Sequence, residues 1–187
     1  MLNARSIAAA GLVVLAAAGP ARAQPDVRAD VAGGYSALSA SSGSMPVGWF
    51  VSATYNFNEV IGIAGEISGN YGWPASPVVN VSTSINEYSF LAGPRLVLAA
   101  ADKQAGYAHF LIGAAIASAT GSGTFGRNSV STTASDTAIC YVPGLGYDVE
   151  FRDNTALRVE ANYRLVTANG SVNEFQFFVG VVRRFPR

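Results

Sequence analysis

His109 is the only histidine of the 187-residue chain and the first residue to weigh as a general base. A hydrolase built on it would need a hydroxyl nucleophile within hydrogen-bond reach. Ser118 shares its segment, but the sequence puts no partner beside the imidazole, so a histidine bonded to a neighbouring carboxylate is expected. Glu66 and Glu160 are the pair to consider for two-carboxylate glycoside hydrolysis. Arg95, Arg158 and Arg164 occur in similar settings and favour structural ion pairs instead. Cys140 is the single cysteine, which excludes an intrachain disulfide and a cysteine-built metal centre. It reads as a small packing residue. Gly144-Leu145-Gly146 has glycine spacing reminiscent of a phosphate loop, yet it lies inside a strand pattern with no following helix. None of these groups forms a catalytic constellation. The expectation is no enzyme activity, no metal site and no cofactor.

What must position these groups is a recurring alternation. In Leu157-Arg158-Val159-Glu160-Ala161-Asn162-Tyr163-Arg164-Leu165 every second residue is apolar and those between are polar. A strand sends successive side chains to opposite faces, so such a segment has one oily and one charged face. Eight strands are predicted: about Asp26–Leu38, Val47–Phe57, Val60–Tyr71, Glu87–Leu98, Tyr107–Ala119, Thr137–Val149, the segment from Leu157, and Asn173–Phe185. Glycine, β-branched and aromatic residues run through them, and the period of two argues against helices. The intervening loops alternate in length. Ser39–Pro46, Gly72–Asn86 and Thr120–Asp136 are long, whereas Asn58-Glu59 and the turn at Asp153-Asn154 are short.

The N-terminus carries Arg5, an uncharged apolar run from Ile7 to Ala18, and then Ala21-Arg22-Ala23. This reads as a secretory signal peptide over residues 1–23, since the run is short of the ~20 apolar residues of a spanning helix. The remaining 24–187 are expected to form one domain. Without Arg5 and Arg22 the chain has ten basic and twelve acidic residues, so a nucleic-acid partner is not expected. Only 13% of residues are charged, and Lys103 is the sole lysine. Water-facing surfaces usually carry about 25–35% charged residues, so much of this exterior is expected to face something other than water.

Two assignments compete for a two-faced sheet that closes on itself. In a soluble barrel the apolar face points inward; in a membrane barrel it points to lipid. An eight-stranded barrel has an interior only wide enough for its own side chains. Tyr35, Trp49, Tyr55, Tyr71, Tyr88, Phe90, Tyr141, Tyr147, Tyr163, Phe175 and Phe177 would overfill it. The opposite face is rich in Gly, Ala and Ser, and its charges come in both signs: Arg28, Arg95, Arg158 and Arg164 against Asp30, Glu66, Asp148 and Glu160, with His109 on the same side. Buried charges persist when paired. These nine residues are therefore expected to form a polar network in the lumen. Tyr and Trp near strand ends, with Tyr107 among them, are expected in interfacial girdles. Long loops at one end and tight turns at the other suit a transmembrane barrel. The fold class is all-β, a transmembrane antiparallel up-and-down β-barrel of eight strands.

With these features the chain resembles the small eight-stranded outer-membrane barrels of Gram-negative bacteria, of the OmpA transmembrane-domain and OmpX type. Its last strand, Phe175-Gln176-Phe177-Phe178-Val179-Gly180-Val181-Val182-Arg183-Arg184-Phe185, is similar to the C-terminal strand that such proteins present to the outer-membrane assembly machinery. That family usually ends on the aromatic residue itself; here Pro186-Arg187 follow. The resemblance implies a monomer in outer-membrane lipid and a structural or surface-interacting role. Any surface ligand would be met by the Thr120–Asp136 and Gly72–Asn86 loops, since binding resides disproportionately on loops held by a rigid scaffold. The alternative is a narrow porin-like channel for small solutes.

Overall fold

The computed structural model describes residues 27–40, 43–74, 81–101, 103–125, 128–167 and 170–186. The expected signal peptide lies outside them. The strands are β1 (Val27–Ala40), β2 (Gly43–Met45), β3 (Val47–Asn56), β4 (Ile61–Gly72), β5 (Val81–Ala101), β6 (Gln104–Phe125), β7 (Asn128–Arg152), β8 (Thr155–Thr167) and β9 (Ser171–Pro186). β2 and β3 both pair with β1 and are separated only by Pro46, which has no N–H to give a ladder. They make one stave. From there each strand pairs antiparallel with the next, and β1 pairs with β9 from Val27↔Pro186 to Ala40↔Glu174. The ring closes with eight staves and no sheet edge within the wall, so its backbone groups are satisfied without water.

Alternating burial fixes the faces. Along β8, Ala156, Arg158, Glu160, Asn162 and Arg164 are buried, while Leu157, Val159 and Ala161 are exposed. Along β9, Gln176, Phe178 and Val182 are wholly buried, and Phe177, Val179 and Val181 stand 53%, 46% and 50% exposed. A continuous half-exposed belt of Val, Ile, Leu and Phe is untenable in water and is what lipid covers. Above and below it lie aromatic groups. At the upper rim Trp49 Nε1 donates to the Tyr71 hydroxyl at 3.2 Å, and the Tyr71 and Tyr88 hydroxyls are 3.2 Å apart. At the lower rim Tyr55 packs edge-on against Phe57. Their rings are apolar and their hydroxyls wet, which suits the membrane–water boundary.

The strands run further than expected, and the difference is concentrated on one side of the ring. Thr120–Asp136 is not a loop: β6 and β7 stay paired through it, up to Phe125↔Asn128. Val81–Asn86, expected within the Gly72–Asn86 loop, belongs to β5 and pairs with β6. Most of the Ser39–Pro46 loop is likewise strand, with Ala40↔Gly43 the outermost pair. Ser and Thr are β-branched or small residues that pair readily in a sheet when both faces are wet, so their polarity alone does not mark a loop. The tight turns match the sequence. Asn58 Oδ1 accepts from the N–H of Val60 and Ile61, at 2.9 and 2.7 Å, and Asn154 takes a left-handed conformation at φ 59°. Asn tolerates that region better than other non-glycine residues.

Replacing Val179, central on the lipid face of β9, by Arg is expected to lower folding stability in lipid vesicles by about 2–4 kcal/mol. Urea unfolding followed by tryptophan fluorescence measures this, and an unchanged midpoint would contradict the assignment of that face.

Candidate functional site

Among the described residues the ionisable side chains converge in the lumen, and β-strand alternation puts them there. Asp148 and Arg158 are direct cross-strand partners on β7 and β8. The Arg158 guanidinium donates to both Asp148 oxygens, at 2.8 and 3.0 Å, and reaches across the barrel to Asp30 on β1 at 3.1 Å. Arg95 on β5 meets Asp30 from the other side at 3.0 Å and donates to Thr54 Oγ1 at 2.8 Å. Arg184 pairs with Glu150 at 3.0 Å and lies 3.6 Å from Asp148. Such two-pronged guanidinium contacts are the strong form of charge-assisted bond.

A second group lies above this one. The Tyr107 hydroxyl donates to Glu160 Oε2 at 2.7 Å, and the Asn162 amide donates to Glu160 Oε1 at 3.0 Å. The Arg95 guanidinium stacks 3.6 Å from the Tyr107 ring centroid, a desolvated cation–π contact. His109 Nε2 is 3.8 Å from Glu160 Oε1, too far for a hydrogen bond. The expected carboxylate is beside the imidazole but is already occupied by Tyr107 and Asn162. Glu66 is buried, and its Oε1 has no hydrogen-bond partner. Towards the mouth, Gln176 donates to Ser36 and Ser68, and Arg164 is held between Glu87 and Glu174 with no solvent exposure.

The structure therefore brings together eight of the nine expected lumen residues: Asp30, Glu66, Arg95, His109, Asp148, Arg158, Glu160 and Arg164. Arg28 is not among them. The register slips between Val27 and Ala29 where β1 meets β9, and this bulge re-aims residue 28. Arg28 is exposed and lies over the outward-facing Tyr55 ring, 5.8 Å from its centroid. Tyr107 is a second correction. It sits two residues from His109, shares its face, and is buried in the lumen instead of an interfacial girdle. Glu87, Glu174, Gln176 and Arg184 also belong to the interior, and the alternation of their own strands marks them. The interior is not only small and charged. Phe50 stacks on Phe178 with centroids 4.2 Å apart, and a Cβ on Gly180 would come within 2.8 Å of the Phe50 ring. Leu91, Leu111, Cys140 and Val142 form a second apolar cluster.

The glycine pair at 144 and 146 has a steric role. A Cβ at Gly144 would lie 2.2 Å from His109 Nε2, and one at Gly146 2.1 Å from Tyr107 Cζ. Both glycines make room for rings that cross from β6. Ser118 is nine residues along β6 from His109, about 30 Å at the usual strand rise, and on the opposite face. Ser118 and His109 therefore form no pair. Among the described residues, no cluster of three His, Cys, Asp or Glu side chains has the arrangement to hold a metal ion.

An eight-stave barrel with a lipid-covered exterior, two aromatic rims and an interior of paired charges defines a transmembrane β-barrel protein. Residues 7–185 match the family model described as the outer membrane protein beta-barrel domain. The chain belongs to that family and is a protein of the bacterial outer membrane. No curated protein sequence matches it. Among solved structures it resembles Ail, the attachment invasion locus protein of Yersinia pestis. The TM-score is 0.60 at 19% identity, covering 87% of this chain and 99% of Ail. OprG of Pseudomonas aeruginosa gives 0.58 at 8% identity, over 90% and 100% of the two chains. Neisserial surface protein A gives 0.55 at 19%, over 84% and 96%. At these identities the likeness is one of fold.

Removing one member of a buried charge group strands its partners, whereas neutralising the whole group does not. Arg164→Met is expected to cost about 3–5 kcal/mol of stability in vesicles. Arg164→Met combined with Glu87→Gln and Glu174→Gln is expected to recover at least half of that. Urea unfolding of both variants checks the prediction, and equal losses would contradict it.

Proposed function

We propose that this protein is a non-enzymatic outer-membrane barrel whose lumen is plugged and whose role is surface interaction. The observation that carries the reading is the three-stranded sheet that rises beyond the barrel. β5, β6 and β7 run 21, 22 and 25 residues, where about 9–11 suffice to cross the bilayer. β7 pairs with β8 only from Ile139 onward. Residues 128–138 of β7 therefore extend about 35 Å at the usual rise per residue, with β6 on one side and, among the described residues, no strand on the other. Residues Ser131–Thr137 are exposed on both faces and consist of Ser, Thr, Ala and Asp. They have neither lipid nor core to face. A strand edge with free backbone donors and acceptors is a template for an added strand from a protein partner. The edge bears no lysine or proline to block such pairing. Ail, an attachment invasion locus protein whose structure has been solved with the heparin analogue sucrose octasulfate, is a barrel of the same fold.

In this reading the signal peptide directs export and is removed, the terminal strand engages the assembly machinery, and the barrel works as a monomer in lipid. The protein isolated from outer membranes is expected to begin at Gln24, which intact mass determination checks.

Joining Thr120 to Thr133, which are cross-strand partners, through an Asn-Gly turn removes residues 121–132 and leaves the barrel wall whole. Bacteria displaying this variant are expected to adhere to epithelial monolayers at least tenfold less than bacteria displaying the full chain at equal surface density. Equal adherence would overturn the surface role. In planar bilayers the full chain is expected to give no steady conductance; a stable unitary current that charge reversal at Arg95 alters would favour the narrow channel instead.

A further inference from the structure

Above the Arg164 layer the lumen opens into a cavity of about 400 Å³ between the ends of β2, β4, β5, β6, β7, β8 and β9. Its walls are mostly apolar and small: Met45, Ile85, Ala115, Ala117, Val166 and Val172 line it. Its ionisable groups are all acidic. Glu87 and Glu174 stand at the floor, and Asp136 is at the exposed rim. Beneath them Arg164 lies 3.1 Å from Glu174 and in contact with Glu87. One guanidinium thus serves two carboxylates. Glu87 Oε1 and Glu174 Oε2 face it without a properly formed hydrogen bond, although both residues are only 5% exposed. Ionised carboxylates accept up to about four hydrogen bonds each, so the pair has more acceptor sites than one guanidinium, itself shared with Ser89, can fill.

The imbalance extends through the interior. Among the described residues the buried carboxylates are Asp30, Glu66, Glu87, Asp148, Glu160 and Glu174, and the buried guanidiniums are Arg95, Arg158, Arg164 and Arg184. One of the two surplus negative charges is at the mouth, where Glu87 and Glu174 share Arg164 alone, and the other is lower in the bore among Asp30, Glu66, Asp148 and Glu160. A cavity with apolar walls and a few convergent polar groups is the usual form of a small-molecule site. Field lines from like charges in a low-dielectric cleft concentrate counter-ions there.

We infer that this mouth cavity is a binding site for a small organic cation with an apolar body, such as an aryl- or alkylammonium. The cationic head sits against Glu174 and Glu87, with Asp136 steering entry, and the body packs on Met45, Ile85 and the alanines of β6. The site shares Asp136 and Ala138 with the β7 edge, but none of its lining lies within residues 121–132, so it stands or falls independently of the surface role.

The test uses protein purified from outer membranes and placed in zwitterionic nanodiscs, with ¹³C-methyl methionine. Met45 is one of only two methionines in the chain and lines the cavity, and Met45→Leu assigns its signal. Benzylammonium is expected to shift the Met45 methyl resonance saturably. Benzyl alcohol is expected to bind at least tenfold more weakly, and benzenesulfonate not at all. Ala117→Phe, which fills the cavity between its cross-strand partners Glu87 and Asp136 and leaves every carboxylate in place, is expected to abolish the shift. Glu174→Gln is expected to weaken it at least tenfold. Should Glu174→Gln lose heat-modifiable mobility, and hence its fold, Asp136→Asn at the exposed rim carries the charge test with a loss of at least threefold. The proposal is overturned by the absence of a saturable shift in the unaltered protein. It is equally overturned if benzyl alcohol binds as tightly as the cation, or if folded Ala117→Phe binds unchanged.

Discussion

Arg158 reaches from β8 to Asp148 on the neighbouring strand and across the lumen to Asp30 on β1. Much of the molecule depends on that kind of contact. An eight-stave barrel cannot hold bulk water, and lipid surrounds it, so no solvent is available to screen a charge inside. Each interior guanidinium must find its counter-charges on other staves. The bonds that satisfy it therefore tie together strands far apart in the sequence. Ser52, 106 residues away, is held by the same arginine.

This requirement shapes the surrounding steric choices. Tyr107 lies under the Arg95 guanidinium and donates to Glu160, which places a large ring in a narrow lumen. Gly146 on the adjacent strand yields the space for it, as Gly144 does for His109. At the level of Glu160, the cross-strand partner of Phe178, the Phe50–Phe178 stack fills the bore, and Gly180 makes room for it. Polar and apolar side-chain groups thus both occupy the bore. Its exterior needs only apolar bulk, because lipid makes no specific demand beyond the aromatic rims.

The charge pairing is incomplete toward the outer end. There the wall turns to Ala, Val and Ile, a single arginine is shared by two glutamates, and the bore widens. On the same end the sheet continues past the membrane through β5, β6 and β7, with a free edge on β7. The lower bore is lined by densely paired charges, whereas the upper mouth is open and mostly apolar.

Much of this was legible in the residues. Alternation in Leu157–Leu165 and in the last strand sets the faces, because a strand's side-chain period is two whatever its partners are. The tight turns follow from Asn58 and from Asp153-Asn154, which need no distant contact. The sequence also determined that Asp30, Arg95, Asp148, Arg158 and Arg164 share one interior. It could not say which of them meet, since pairs such as Arg158 with Asp30 depend on how staves distant in sequence face each other across the closed bore. It misplaced Arg28, because a bulge between Val27 and Ala29 is a property of two paired strands and not of one. It read 120–136 as a loop, because a Ser/Thr-rich segment becomes strand only when a partner of equal length lies beside it. Pairing, bulges and the enclosed cavity are relations between segments, and only closure of the ring decided them.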